Sequence, residues 1–112
     1  LTISAVGSFT RQMQELDTTV LKKASKIYYD DKEAMLEEAG EIIKALENRD
    51  IDEKKFSGSL GEALSGKIKL RENDEEIIVF KSVGLGIQDL VTAKQVYDNA
   101  ISKKIGKYID IG

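Results

Sequence analysis

Residues 79–100, VFKSVGLGIQDLVTAKQVYDNA, pass without a break from an apolar strand through a glycine turn into an amphipathic helix. Gly84 and Gly86 stand at the junction. A loop at the carboxyl end of a strand, followed by a helix start, presents backbone N–H groups that can meet a ligand. A tight strand-to-helix turn with no ligand accounts for the same residues. The two glycines match the first two of G-x-G-x-x-G, but Asp89 occupies the third place, so the full dinucleotide fingerprint is absent.

Working outward, EEIIVF at 75–80 reads as the strand entering this junction, and residues 87–105 read as the helix leaving it. Ile87, Leu90, Val91, Val96, Tyr97, Ala100, Ile101 and Ile105 give that helix a wide apolar stripe, and Gly106 is a plausible stop. At the other end of the chain, residues 1–6 alternate apolar and polar as a strand that ends at Gly7, and a polar loop follows. Asp17 or Thr18 can cap a short helix over 18–25 before a second apolar run at 26–31. Asp30 or Asp31 can cap one continuous helix with Met35, Ala39, Ile42, Ile43 and Leu46 on one face, ending near residues 48–50. The charged segment 47–55 reads as a solvated connection, and SGSLGEALSGK at 57–67 as a short amphipathic turn or two.

Three strands separated by three or four helices predict a small α/β assembly, and a sheet this narrow calls for further neighbours. The chain opens on Leu1, in what reads as a strand already under way, which predicts a fragment of a longer protein. At 112 residues with 41% hydrophobic content, it has enough apolar material for one core. Seventeen basic against 20 acidic residues leave a net charge of -3, which provides no electrostatic footprint for nucleic acid. The chain has no His and no Cys, so a zinc site of the usual ligands, a disulfide, a thiol nucleophile and an imidazole base are all excluded. Its apolar runs are too short for a membrane helix, and a cytoplasmic location is expected.

Lys81 and Ser82 fall at the end of a strand, where side chains of α/β proteins often meet ligands; a surface lysine and a helix-capping serine are the plain alternative. AVGSF at 5–9 occupies the equivalent place after the first strand. Gly7, Ser8, Ser82 and Val83 would therefore share one site if those two strands are parallel and adjacent. Gly58, Gly61 and Gly66 have neither the fingerprint spacing nor an evident preceding strand, and read as loop glycines.

With these residues in view, the chain resembles the C-terminal part of the ornithine cyclodeaminase/mu-crystallin family. The likeness is carried in order by ISAVGSFTRQMQELD, YYDDKEAMLEEAG, GSLGEALSGK and IIVFKSVGLGIQDLVTAKQVYDNA. It implies a Rossmann-type NAD(P)-binding fold: residues 1–106 would be the later part of that domain, and 107–112 a tail leading out of it. It also implies NAD or NADP as cofactor, an amino-acid or imine substrate, a homodimer, and glycine-fingerprint and substrate-binding segments preceding Leu1. Matched position by position, Val6, Gly7, Ser8, Phe9 and Ser82 are the implied cofactor contacts, and Val83 lies on the substrate side.

Three positions depart from the family pattern. Phe9 stands where ornithine cyclodeaminases carry a proton-transferring acid, and a phenyl ring can neither take nor give a proton. Met13 replaces a lysine that contacts the cofactor in some members, and Arg11 replaces a frequent proline. The resemblance therefore implies an NAD(P)-dependent oxidoreductase or cyclodeaminase-like enzyme of which this chain alone would be inactive. Non-catalytic binding of dinucleotide and a small ligand, or association through the final helix, are the alternatives.

Overall fold

The computed structural model describes residues 1–111; Gly112, the last residue of the expected tail, lies outside the described residues. The chain runs β1 (Thr2–Ala5), α1 (Thr18–Lys23), β2 (Lys26–Tyr29), α2 (Lys32–Glu38), α3 (Gly40–Glu47), a 3₁₀ turn (Glu53–Lys55), β3 (Phe56–Ser59), α4 (Leu60–Leu64), β4 (Ile78–Lys81) and α5 (Gly86–Lys103). The strands form one parallel sheet in the order β1-β4-β2-β3. Parallel pairing needs long crossovers, and the helices supply them.

Strand alternation decides which residues enter the core. Ile27 and Val79 point to the face covered by α1, α2 and α3, where Leu21, Ala24, Met35, Ala39, Ile42, Ala45 and Ile51 close around them. Tyr28, Ile78 and Phe80 point to the opposite face, which α4 and the segment around Leu70 cover lightly, leaving a cleft of about 250 Å³. Tyr28 pins that segment by donating its hydroxyl proton to the Lys69 carbonyl at 2.7 Å.

Asp17 and Asp31 act as the expected caps, accepting from the N–H groups of Thr19 at 3.0 Å and Ala34 at 2.8 Å. The single helix expected after Asp31 is instead two, because Ala39 leaves helical geometry at φ -77°, ψ 97°. The cause is Gly40, against which the loop carbonyls of Thr10, Arg11 and Met13 pack so closely that a Cβ would lie 2.0 Å from the Met13 oxygen. Restarting the helix at Gly40 seats this contact.

A fourth strand, β3, follows the solvated connection and lies largely where the sequence reads as a short amphipathic turn with loop glycines. It pairs with β2 through a register shift between Ile27 and Tyr28. An edge strand of one Phe, two Ser and a Gly carries no apolar alternation. β4 starts at Ile78 rather than at residue 75, since Glu75 and Glu76 belong to a turn in which both N–H groups donate to Asn73 Oδ1 at 3.0 Å.

The apolar stripe expected on α5 exists, but no residue of that helix is buried. Ile87, Leu90, Val91, Val96, Tyr97 and Ile101 are each more than 60% exposed. The radius of gyration, 17.6 Å, exceeds the roughly 13 Å of a compact chain this long because α5 projects from the sheet. Among the described residues no helix is long and apolar enough to cross a membrane.

Candidate functional site

The condition for a shared site is met: β1 and β4 are neighbours and parallel, with Ala5 opposite Lys81. Ser82 N–H donates to the Ala5 carbonyl at 3.0 Å, so the segments starting at Val6 and Ser82 leave the sheet at the same carboxyl edge. Tyr29 is opposite Lys81 on the other side, which brings Asp30 to that edge as well. Gly84 has φ +88°, a conformation that favours glycine, and lets the chain turn from β4 into α5. Gly86 has no such requirement, and answers only to the helix start.

The two loops are built alike. In the first, Val6 and Phe9 are exposed and Gly7 is open to solvent, while Ser8 is buried and its hydroxyl donates to Glu41 Oε2 of α3. In the second, Val83 is half-buried and the Ser82 hydroxyl donates to Asp30 Oδ2 while accepting the Gly84 N–H at 3.1 Å. Each serine side chain therefore ties its loop to a carboxylate, leaving backbone and apolar side chains to face outward. Contacts from Ser8 to anything in the crevice would come through its backbone.

Lys81 fits neither sequence expectation, crevice or surface. It is fully buried beneath the sheet, with Nζ 3.0 Å from Glu41 Oε1 and 3.3 Å from Glu15 Oε2. The approach to Glu41 Oε1 is an ion pair without a well-angled hydrogen bond. Glu15 also accepts the Gly7 N–H at 2.7 Å, and its carboxylate covers that glycine so closely that a Cβ would lie 2.3 Å from Oε1. The Gly7 N–H, and secondarily the hydrogen bond and charge of Lys81, hold the Glu15 carboxyl below its ordinary pKa against some desolvation.

Gly7, Ser8, Met13, Gln14 and Glu15 line an open depression of about 380 Å³ at this edge. A larger one, about 550 Å³, is lined by Leu46, Arg49–Glu53 and Lys55 and lies by the C-terminus of α3 and the start of β3, away from the glycine loops. The smaller depression is the one at the carboxyl edge of β1, where the exposed Glu15 lies over the buried Lys81 and Glu41. Glu15 and Glu41 were not singled out by the sequence reading, and Asp30 only as a possible helix cap. One signal was available for Lys81: it shares strand parity with the core residue Val79.

A parallel sheet flanked by helices, with glycine loops meeting at its carboxyl edge, defines a Rossmann-type α/β protein. The chain belongs to the ornithine cyclodeaminase/mu-crystallin family, whose sequence model matches residues 1–104. It is 39% identical over 108 residues to a Delta(1)-pyrroline-2-carboxylate reductase of Bacillus cereus, covering 96% of this chain and 33% of that protein. The structure of Thermococcus litoralis Delta(1)-pyrroline-2-carboxylate reductase in complex with NADH and L-proline is similar at a TM-score of 0.85 and 39% identity, over 96% of this chain and 33% of that one. An archaeal alanine dehydrogenase dimer with bound NAD is similar at a TM-score of 0.78 and 42% identity, over 99% and 34% of the two chains. The chain thus spans about a third of the length of the relatives it matches.

Proposed function

We propose that this chain supplies the later strands and the carboxyl-edge loops of an NAD(P)-binding domain, in an enzyme that interconverts an amino acid and its imine. The observation carrying this reading is the meeting of the two glycine loops at one sheet edge, fixed by the Ser82 N–H to Ala5 carbonyl bond. The apolar side chains of the two loops suit a planar, largely apolar ring: Val6 and Phe9 stand exposed on the first loop, and Val83 is half-exposed on the second. Val6, Gly7, Ser8, Phe9 and Ser82 would line the cofactor, with Val83 toward the substrate. The bound nicotinamide would supply or accept the hydride at the α-carbon. The protein's part is to hold that face and exclude water from it.

Phe9 favours imine reduction or amine oxidation over cyclising deamination, because no proton can be taken or given at that position. The likeness to a reductase seen with NADH and L-proline points the same way. We place the enzyme in the cytoplasm as a homodimer. The unburied apolar stripe of α5 supports a subunit or domain contact there, and the archaeal alanine dehydrogenase relative is itself a dimer.

The test is to express the chain within the full open reading frame that encodes it. The product is then assayed for loss of NADH or NADPH with Δ1-pyrroline-2-carboxylate, and with pyruvate plus ammonia. Turnover supports the proposal. Dinucleotide binding without turnover would establish a binding protein instead, and absence of both would overturn the reading.

A further inference from the structure

We propose that Lys81 and Glu41 are positioning residues that hold the loop after β1 in shape from beneath the sheet. The inference rests on the functional reading for what the loop faces, but not for how it is held. Two points of the loop lead to one buried cation. The Ser8 hydroxyl donates to Glu41, the Gly7 N–H donates to Glu15, and both carboxylates lie within 3.3 Å of Lys81 Nζ.

Stability gives no reason for this arrangement. Lys81 and Glu41 side chains are both wholly buried, and a buried ion pair is commonly no better than two apolar residues of similar size. What apolar residues cannot provide is an acceptor for Ser8 and a cation for Glu15. Lys81 projects from the last residue of β4, and Glu41 from the first turn of α3, the helix end against which Thr10, Arg11 and Met13 pack. The network therefore joins the strand that starts the second loop to both ends of the first.

The experiment is residue-resolved amide hydrogen exchange on the 112-residue chain. The double variant Lys81→Met/Glu41→Leu removes both charges together. We expect exchange at Gly7 and Ser8 to rise by about tenfold or more, because the Ser8 hydroxyl loses its acceptor and Glu15 loses the cation that holds it against Gly7, while the Ser82 amide in the sheet keeps its protection. Ser8→Ala, which leaves the ion pair intact, covers the case in which the double variant does not fold, and should loosen residues 7–9 alone. Ile42→Val is the control for a core lesion. A uniform rise across loop and sheet like that control, or an unchanged loop in Ser8→Ala, would overturn the proposal. No nucleotide enters this measurement, so its failure is distinct from a failure of the full-length enzyme to turn over.

Discussion

Helices α3 and α5 are both amphipathic, yet they meet opposite fates. On α3, Glu41, Ile42, Ile43 and Ala45 are buried against the sheet and its neighbouring helices. On α5, Leu90 and Ile101 are 70% and 61% exposed, and nothing among the described residues covers them. An apolar stripe states that a face requires cover. It does not state what provides it. The helix that packs within the chain carries Glu41 to the buried Lys81, while the longer helix leaves its apolar stripe exposed.

The largest effect should come from that buried pair. Glu41→Ala leaves Lys81 buried with only the half-exposed Glu15, and breaking a buried pair by removing one partner costs about 3–5 kcal/mol. Urea unfolding of the 112-residue chain would measure it. A loss below about 1 kcal/mol, the range of exposed pairs, would mean that water reaches Lys81 and that α3 is less sealed than its burial implies.

The next pair of substitutions sets the two helices directly against each other. Ile42→Ala removes a wholly buried side chain and should cost about 2–5 kcal/mol, whereas Leu90→Ala on α5 should stay within about 0.5 kcal/mol. If Leu90→Ala proved equally costly in dilute chain, α5 would fold back onto the sheet in solution and the contrast would vanish. If the cost of Leu90→Ala grew with protein concentration, the contact would be with a second copy.

Caps give a smaller effect. Asp31→Ala removes the side-chain acceptor at the start of α2 and should cost about 1 kcal/mol. α5 has no side-chain cap at Leu85, so Leu85→Asp offers the complementary gain, seen as a higher thermal midpoint. A gain there with no loss at Asp31 would show that tertiary packing, and not capping, decides where α2 begins.

These contrasts also explain what was legible in the sequence. β1, β2, β4, the two Asp caps and the long helix were readable because apolar runs and cap residues are local signals. The family was readable from four colinear motifs, and the shared sheet edge from the equivalent places of AVGSF and KSVG. β3 was missed because a polar edge strand with a glycine lacks alternation. The break at Ala39 was missed because the apolar periodicity of Met35, Ala39, Ile42 and Leu46 runs straight through it, and only the loop packed on Gly40 interrupts the helix. Lys81 was misplaced because charge suggested exposure, although its parity with Val79 placed it on the core face. The partners Glu15 and Glu41 lie 66 and 40 positions from it in sequence, beyond any local pattern.

The smallest effect concerns the loop that α3 carries and α5 does not. The Glu15 carboxyl is held below its ordinary pKa chiefly by the Gly7 N–H, with Lys81 adding to the pull. Its stabilising contribution is therefore complete above the unfolded-state pKa of about 4.3 and is lost as the pH falls through the lower folded value. The side chain is 37% exposed, so solvent screening keeps the contribution modest. The Gly7 amide proton shift, followed by NMR from neutral pH downward, should titrate with an inflection below that of an ordinary glutamate. In Lys81→Met/Glu41→Leu the inflection should move upward, since Glu15 has lost its buried cation while keeping access to the Gly7 N–H. An inflection at the ordinary value in the unaltered chain would mean that Glu15 does not rest on Gly7, and the loop would then be as unsupported as the exposed face of α5.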